Sequence, residues 1–278
     1  MKAMILAAGL GTRLRPLTDN RPKALVELNG RTLLEIAVTR LASFGITEFI
    51  VNVHHFADQM ASYLKSKNNF GLCIELSRED DLLLDTGGGL KKASRFFLED
   101  GAGLDEPFLL HNVDVLSDIA LHQMVHFHTE RHALATLAVQ SRESSRQLLF
   151  NEALQLIGRR TGSKEKLVST PNSQNTVKQK CYSERSEESA SSFKSPLATH
   201  SSLLPLAFCG IHVLSPRILA LLTESTPVFS IIDSYVRLAG QGQKILAFRA
   251  DAYYWRDLGR PEELAQATVD LQHGGAPL

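Results

Sequence analysis

Leu6-Ala7-Ala8-Gly9-Leu10-Gly11-Thr12-Arg13-Leu14-Arg15-Pro16-Leu17-Thr18 decides how this chain is read, because it follows without a break on the apolar residues 3–6. A buried strand that opens into glycines presents backbone rather than side chains to whatever lies beyond it. Gly9 and Gly11 leave amide N–H groups bare, and bare amides cradle phosphate oxygens. Arg13 and Arg15 add positive charge beside them, and Lys23, after Pro22, adds a mobile ammonium. Two other phosphate loops are ruled out by the letters. A Walker loop ends in Gly-Lys-Ser/Thr, which occurs nowhere in the chain, and the dinucleotide fingerprint needs a third glycine where Leu14 stands.

Outward from the loop, short apolar runs alternate with segments of helical period. Residues 33–44 read as an amphipathic helix closed by Gly45, 48–53 as a strand, 57–65 as a helix and 72–77 as a strand. Residues 89–97 and 119–132 read as helices, with strands at 108–111 and 134–139. Strands alternating with helices imply crossover units, so the expected class is α/β, a Rossmann-like, doubly wound, mainly parallel sheet. From about residue 159 to 204 the chain turns polar and loses its periodicity. Such a stretch buries too little apolar surface to offset an ordering cost of roughly 1–2 kcal/mol per residue, and it reads as a disordered insertion within one domain. Order resumes at Pro205, with strands at 206–213, 244–249 and 253–258 and helices at 217–222 and 231–239. Pro261, Glu262 and Glu263 then open a final helix with residues suited to its first turn. No internal repeat is present.

The 278 residues carry 30 basic and 30 acidic side chains, a balance that argues against nucleic acid or an anionic membrane as partner. The three cysteines, Cys73, Cys181 and Cys209, lie far apart with no zinc-type spacing, which fits a reducing cytoplasm. The apolar start of the chain is too short for a signal peptide, and no run approaches the roughly 20 apolar residues of a membrane span. A soluble protein is expected.

A second glycine run, Leu84-Asp85-Thr86-Gly87-Gly88-Gly89, sits between a strand and a helix. Three adjacent glycines are costly for packing alone, and a flat base lying against bare backbone explains them better. Phe108-Leu109-Leu110-His111-Asn112-Val113-Asp114 puts Asp114 at the carboxyl end of a buried strand, the edge at which open α/β sheets bind ligands. Trp255-Arg256-Asp257-Leu258-Gly259 supplies a second carboxylate after another apolar stretch. Two carboxylates together with phosphate oxygens are what a Mg²⁺ shell asks for.

Residues 6–23 resemble the signature L-A-A-G-x-G-T-R-L-x-P-L-T-x-x-x-P-K of the sugar-1-phosphate nucleotidyltransferases, a nearly complete match over 18 positions. The resemblance implies a GT-A-like α/β domain over residues 1–278, with a nucleotide-binding half, 1–140, and an acceptor-binding half, 141–278. It implies that Leu6, Ala7, Ala8, Gly9, Gly11 and Thr12 wrap the triphosphate. Arg13 would hold the departing pyrophosphate and Lys23 the reacting phosphates, while Thr86, Gly87 and Gly88 would meet the base. Asp114 and Asp257 would hold Mg²⁺, with Arg13, Lys23 and Asp114 forming the catalytic set. Phe208-Cys209-Gly210-Ile211 resembles the strand that flanks the acceptor sugar, which places Gly210 and Asn112 at that sugar. In one departure, Val113 stands where relatives carry glycine. A lysine that many relatives use on the acceptor phosphate is not identifiable.

The expected reaction is transfer of a nucleoside monophosphate from a triphosphate to a sugar 1-phosphate, giving an NDP-sugar and pyrophosphate. A cytidylyltransferase acting on a phosphorylated alcohol such as phosphocholine, and a non-catalytic nucleotide-sensing subunit, are the rival readings. Homo-oligomerisation is left open. His122, His126, His128 and His132 are expected on a solvated helix face, and His54-His55 stands near the pocket or clear of it with equal weight. No Gly-x-Ser-x-Gly elbow occurs.

Overall fold

The computed structural model describes residues 1–98, 106–168 and 203–276. The chain begins with β1 (Lys2–Leu6), a small hairpin of β2 (Glu27–Leu28) and β3 (Arg31–Thr32), α1 (Leu33–Ser43), β4 (Glu48–Val53), α2 (Ala57–Ser66) and β5 (Cys73–Arg78). It continues through α3 (Asp85–Lys92), α4 (Ser94–Leu98), β6 (Phe108–Asn112), β7 (Val115–Ser117), α5 (Leu121–Glu130) and β8 (Ala135–Gln140). Three strands follow, β9 (Arg146–Phe150), β10 (Leu156–Thr161) and β11 (Lys164–Leu167). After these come β12 (Leu204–Leu214), α6 (Arg217–Leu221), α7 (Ile231–Gly240), β13 (Ile245–Arg249), β14 (Trp255–Asp257) and α8 (Pro261–Gln272).

β1 lies between β4 and β6, parallel to both, with Ala3 opposite Phe49 on one side and Leu109 on the other. A strand paired on both edges and covered on both faces is apolar without alternation, which accounts for Ala3-Met4-Ile5. β12 lies between β6 and β8 and runs against both, Val213 facing Leu109 and Thr136. β5 is parallel to β4 and β13 parallel to β8. Hence β5, β4, β1, β6, β8 and β13 point one way, and β12 is the reversed strand among them: the sheet is large and mainly parallel, as expected.

Successive side chains of β1 enter opposite layers. Ala3 and Ile5 join a core with Leu33, Leu41, Met60, Met124 and Leu264, from α1, α2, α5 and α8. Met4 joins the other core with Leu90, Phe96, Ile218 and Tyr235, from α3, α4, α6 and α7. Helices therefore cover both faces. Local signals agree with this placement: the Thr32 hydroxyl accepts from the Glu35 amide at 3.1 Å to cap α1, and Gly45 follows that helix at φ 81°. Among the described residues no helix is long and apolar enough to cross a membrane.

Two expectations need correction. Residues 159–168 are not part of an irregular insertion: β10 and β11 form an antiparallel pair, Arg159 opposite Lys166, and β10 also pairs with β9. Every residue of β11 is exposed, so the pair is held by backbone hydrogen bonds and shows no apolar period to read. The start of β12 at Leu204 is likewise ordered strand; the remainder of the expected insertion, 169–202, with Cys181, lies outside the described residues.

The second correction concerns the histidines. His128 is buried, with Nδ1 3.0 Å from the Thr136 hydroxyl, and His132 lies beyond the end of α5. Burial, and secondarily the Arg217 charge, push His128 down to about 4. His111 and His212 are also buried and lowered, to about 4 and about 3, burial being the larger cause in each. The unfolded chain then binds more protons than the native one between the ordinary histidine value of about 6.5 and about 4. Stability is fully present above that window and falls as pH drops through it. Thermal unfolding followed from pH 7 to pH 4 is expected to show a falling Tm, less steep in His128→Gln. A Tm flat across this range contradicts the assignment of neutral buried imidazoles.

Candidate active site

The glycine loop leaves β1 and is anchored from beneath. Asn52, buried near the end of β4, accepts from the Ala7 amide at 2.7 Å and donates to Glu79 Oε1 at 2.8 Å. Glu79 is itself buried, and its other oxygen accepts from the Leu84 amide at 2.9 Å. One carboxylate thus ties the base of the first glycine loop to the start of the second. Gly11 then turns the chain at φ 65°, its carbonyl accepting from the Thr18 hydroxyl at 2.9 Å. Among the described residues no acceptor is found for the amides of Gly9, Leu10 and Gly11. Three unclaimed N–H groups in a turn, beside Arg13, form a nest for anionic oxygens.

Asn52→Leu keeps the branched shape of the side chain but strands the Ala7 amide and Glu79 Oε1 without their partner. The expected cost is at least ~2 kcal/mol of stability, together with weaker nucleotide binding. Denaturant unfolding and calorimetric titration with a nucleoside triphosphate check both, and an unchanged affinity would show that the loop does not depend on this anchor.

Opposite the loop, β7 pairs with β14 so that Val115 faces Asp257, and the Leu258 amide donates to the Asp114 carbonyl at 2.7 Å. Two carboxylates far apart in the chain therefore stand side by side. The Lys23 ammonium donates to Asp114 Oδ2, and both side chains are largely buried. Arg13 Nη2 lies 3.9 Å from Asp257 Oδ2. The Gly259 amide donates to Asp257 Oδ1 at 2.8 Å, fixing the second carboxylate.

The electrostatics follow from this packing. Burial pushes Asp114 up, but the Lys23 charge and hydrogen bond outweigh it, and its carboxyl is held below the ordinary range. Asp257 is pushed up, first by burial and then by the Asp114 charge against it. Neighbouring carboxylates of opposite shift are a pair that one divalent cation would relieve. Among the described residues no cluster of three or more His, Cys, Asp or Glu exists. The donor set is two hard oxygens, which suits Mg²⁺ completed by phosphate oxygens and water and does not suit a closed zinc site.

Arg13, Asp114 and Asp257 open onto a cleft of about 1320 Å³ whose walls come from both halves of the chain; Lys23 and the Gly9–Gly11 turn are not among its lining residues. Of the expected residues, Arg13, Thr86, Asn112, Asp114, Gly210 and Asp257 line it. Gly210 turns at φ 76° and packs so closely on Asn112 that a Cβ would come 2.7 Å from its amide nitrogen.

The second glycine run is used otherwise than expected. Gly87, Gly88 and Gly89 lie inside α3, and the Gly87 and Gly88 amides donate to the Phe229 carbonyl at 2.9 and 3.2 Å. A Cβ on Gly87 would run into the Phe229 ring, and one on Gly88 into the Pro227 carbonyl. Close approach of the 227–229 segment accounts for both glycines, and only Asp85 and Thr86 of this run face the cleft. His54 does not border it: its Nδ1 meets the Glu79 carbonyl at 2.5 Å.

Sequence reasoning missed Asn52 and Glu79, although a polar residue within the apolar run 49–53 was a usable signal. It also missed Arg142 and Trp255, which line the cleft and carry no local signature.

Three unclaimed amides, an ammonium and a carboxylate pair beside the central strands of an α/β sheet make this a candidate site for phosphates. Residues 2–148 match the nucleotidyl transferase family, over half of the chain, and the chain belongs to that family. It is 48% identical over 93 residues to the N-acetylmuramate alpha-1-phosphate uridylyltransferase of Caulobacter vibrioides, covering 33% of this chain and 38% of that relative. It is 39% identical over 140 residues to the mannose-1-phosphate guanyltransferase of Emericella nidulans, covering 50% and 37%. These matches span well under half the length of either relative. The fold is also that of a UDP-glucose pyrophosphorylase solved with UDP-glucose, at TM-score 0.70 and 18% identity over 98% of each chain.

Proposed function

We propose that the protein transfers a nucleoside monophosphate from a nucleoside triphosphate to a sugar 1-phosphate, releasing pyrophosphate. The observation that carries the reading is the Asp114–Asp257 pair, standing under Lys23 and Arg13 and facing the cleft. Family membership and the activities named for the relatives above support it.

The triphosphate lies along the Gly9–Gly11 amides, with Arg13 on its β- and γ-phosphates and Lys23 on its α-phosphate. Asp85 and Thr86 border the base, while Asn112 and Gly210 border the sugar. An oxygen of the acceptor phosphate attacks the α-phosphorus in line; the new P–O bond forms as the bond to the β-phosphate oxygen breaks, and that oxygen departs on pyrophosphate. No proton need move, so catalysis is positioning and charge neutralisation. Asp114 and Asp257 would hold Mg²⁺, which when bound would screen the α-phosphate charge. Lys23, beside Asp114, supplies positive charge to the reacting phosphates. Arg13 stabilises the leaving group. A cytoplasmic setting, where exposed Cys73 stays reduced, belongs to the same reading.

A matrix of four nucleoside triphosphates against the 1-phosphates of N-acetylmuramic acid, mannose, glucose and heptose, plus phosphocholine, with pyrophosphate release as readout, tests the reading. Turnover with at least one sugar 1-phosphate is expected. Turnover with phosphocholine alone would replace the acceptor class, and none at all would leave a nucleotide-sensing protein.

A further inference from the structure

The acceptor side of the cleft holds a cation with no counter-charge. Arg142 follows β8, lines the cleft and is half-buried, and its guanidinium lies 3.8 Å above the Trp255 ring. One nitrogen, Nη2, donates to the Phe208 carbonyl at 2.8 Å, the guanidinium also meets the buried Cys209 thiol, and Nε is shut off from solvent with no acceptor. No carboxylate among the described residues pairs with it. Its neighbours differ: Arg159 is committed to Asp233 at 2.7 Å and Arg160 to Glu165 at 3.2 Å, while Arg146 and Arg260 stand exposed at the rim. A partly desolvated guanidinium lacking an anion is costly to keep, and a bound anion relieves that cost.

Its position fits one anion in particular. Trp255 and Asp257 are two residues apart on β14, so they project from the same face, with Cα atoms about 7 Å apart. Asp257 therefore neighbours the Trp255–Arg142 stack along β14, with Arg13 Nη2 3.9 Å from its Oδ2. The Trp255 Nε1 donates to the Cys209 carbonyl at 2.7 Å, next to the Phe208 carbonyl that Arg142 holds. The two side chains thus grip consecutive carbonyls just before Gly210, where the pairing of β12 with β8 shifts register. The stack is fixed in place before any ligand arrives.

We infer that Arg142 binds the phosphate of the acceptor, steered by the Trp255 ring so that one phosphate oxygen reaches the α-phosphorus held at the Asp114–Asp257 pair. The assignment rests on the acceptor reading proposed above. It supplies the acceptor-phosphate cation that the sequence did not reveal.

Trp255 is the chain's single tryptophan, so the site reports on itself. Intrinsic fluorescence of the full-length protein is titrated with glucose 1-phosphate and with inorganic phosphate, in wild type, Arg142→Met and Arg142→Lys. A saturable change is expected in the wild type. Its midpoint should rise at least tenfold in Arg142→Met and less in Arg142→Lys, with nucleoside triphosphate binding and Tm close to wild type. In turnover assays with the best acceptor, Arg142→Met should raise the acceptor KM at least tenfold and leave the triphosphate KM within twofold. A purely structural clamp would instead lower Tm and disturb both substrates. An unchanged phosphate midpoint in Arg142→Met, or no response in the wild type, overturns the assignment. Absence of turnover across the acceptor matrix, with the phosphate response intact and dependent on Arg142, removes the transferase reading and leaves the anion site standing.

Discussion

Asp114→Asn is expected to lower turnover by about 10²–10³, the size of loss seen when one preorganised electrostatic group is removed from an acyl-transfer site. The substitution preserves shape and keeps one acceptor oxygen for Lys23, so the loss reports chiefly charge. Asp114 is largely buried and its carboxylate faces both the Lys23 ammonium and Asp257. With asparagine there, Asp257 no longer feels a neighbouring negative charge, and the second cause of its raised pKa disappears. Folding should survive, because the Asp114 backbone carbonyl, not its side chain, receives the Leu258 amide that joins β7 to β14. Pyrophosphate release by purified protein at saturating Mg²⁺, alongside a thermal melt, checks both halves. Near-normal turnover in a folded variant would remove Asp114 from the reaction.

Lys23→Ala is expected to cost at least tenfold in turnover and to change its pH profile, and the second effect is the more diagnostic. The Lys23 charge opposes the burial that pushes both carboxyls up. Without it both titrate at higher pH, and protons compete more strongly with a divalent ion for the same oxygens. The acid limb of the rate profile should therefore move to higher pH, and the Mg²⁺ concentration for half-maximal rate should rise at a fixed pH near 6. A variant slowed by the same factor at every pH would show that Lys23 acts on the phosphates alone, without setting the charge state of the pair.

Much of this site was legible because its parts are local. Gly9, Gly11, Arg13 and Lys23 lie within one short segment behind one apolar strand, where spacing marks a candidate anion-binding turn. Asp114 was readable for a similar reason, since the end of a buried strand is where open sheets bind ligands. Asp257 needed the family resemblance: nothing in Trp255-Arg256-Asp257 says that β14 will lie along β7. The missed features are all long-range. Asn52 acts through Ala7 and Glu79, 45 and 27 residues away, and Arg142 acts through the Phe208 carbonyl, 66 residues away. Gly87 and Gly88 misled because backbone bareness serves a passing protein segment as well as a ligand. In β10 and β11 the fault lay in equating polarity with irregularity, since strands held by backbone pairing at an edge need no apolar face.

The account turns on Asp114 and Asp257 acting together on one divalent ion. A double-mutant cycle tests this most directly, with pyrophosphate-release rates for Asp114→Asn, Asp257→Asn and the double variant at one Mg²⁺ concentration. Shared ligation predicts that the double variant is no more than about threefold slower than the worse single one, because the first substitution already removes what the second would. Losses that multiply would mean that the two carboxylates do separate work, and would contradict the shared site.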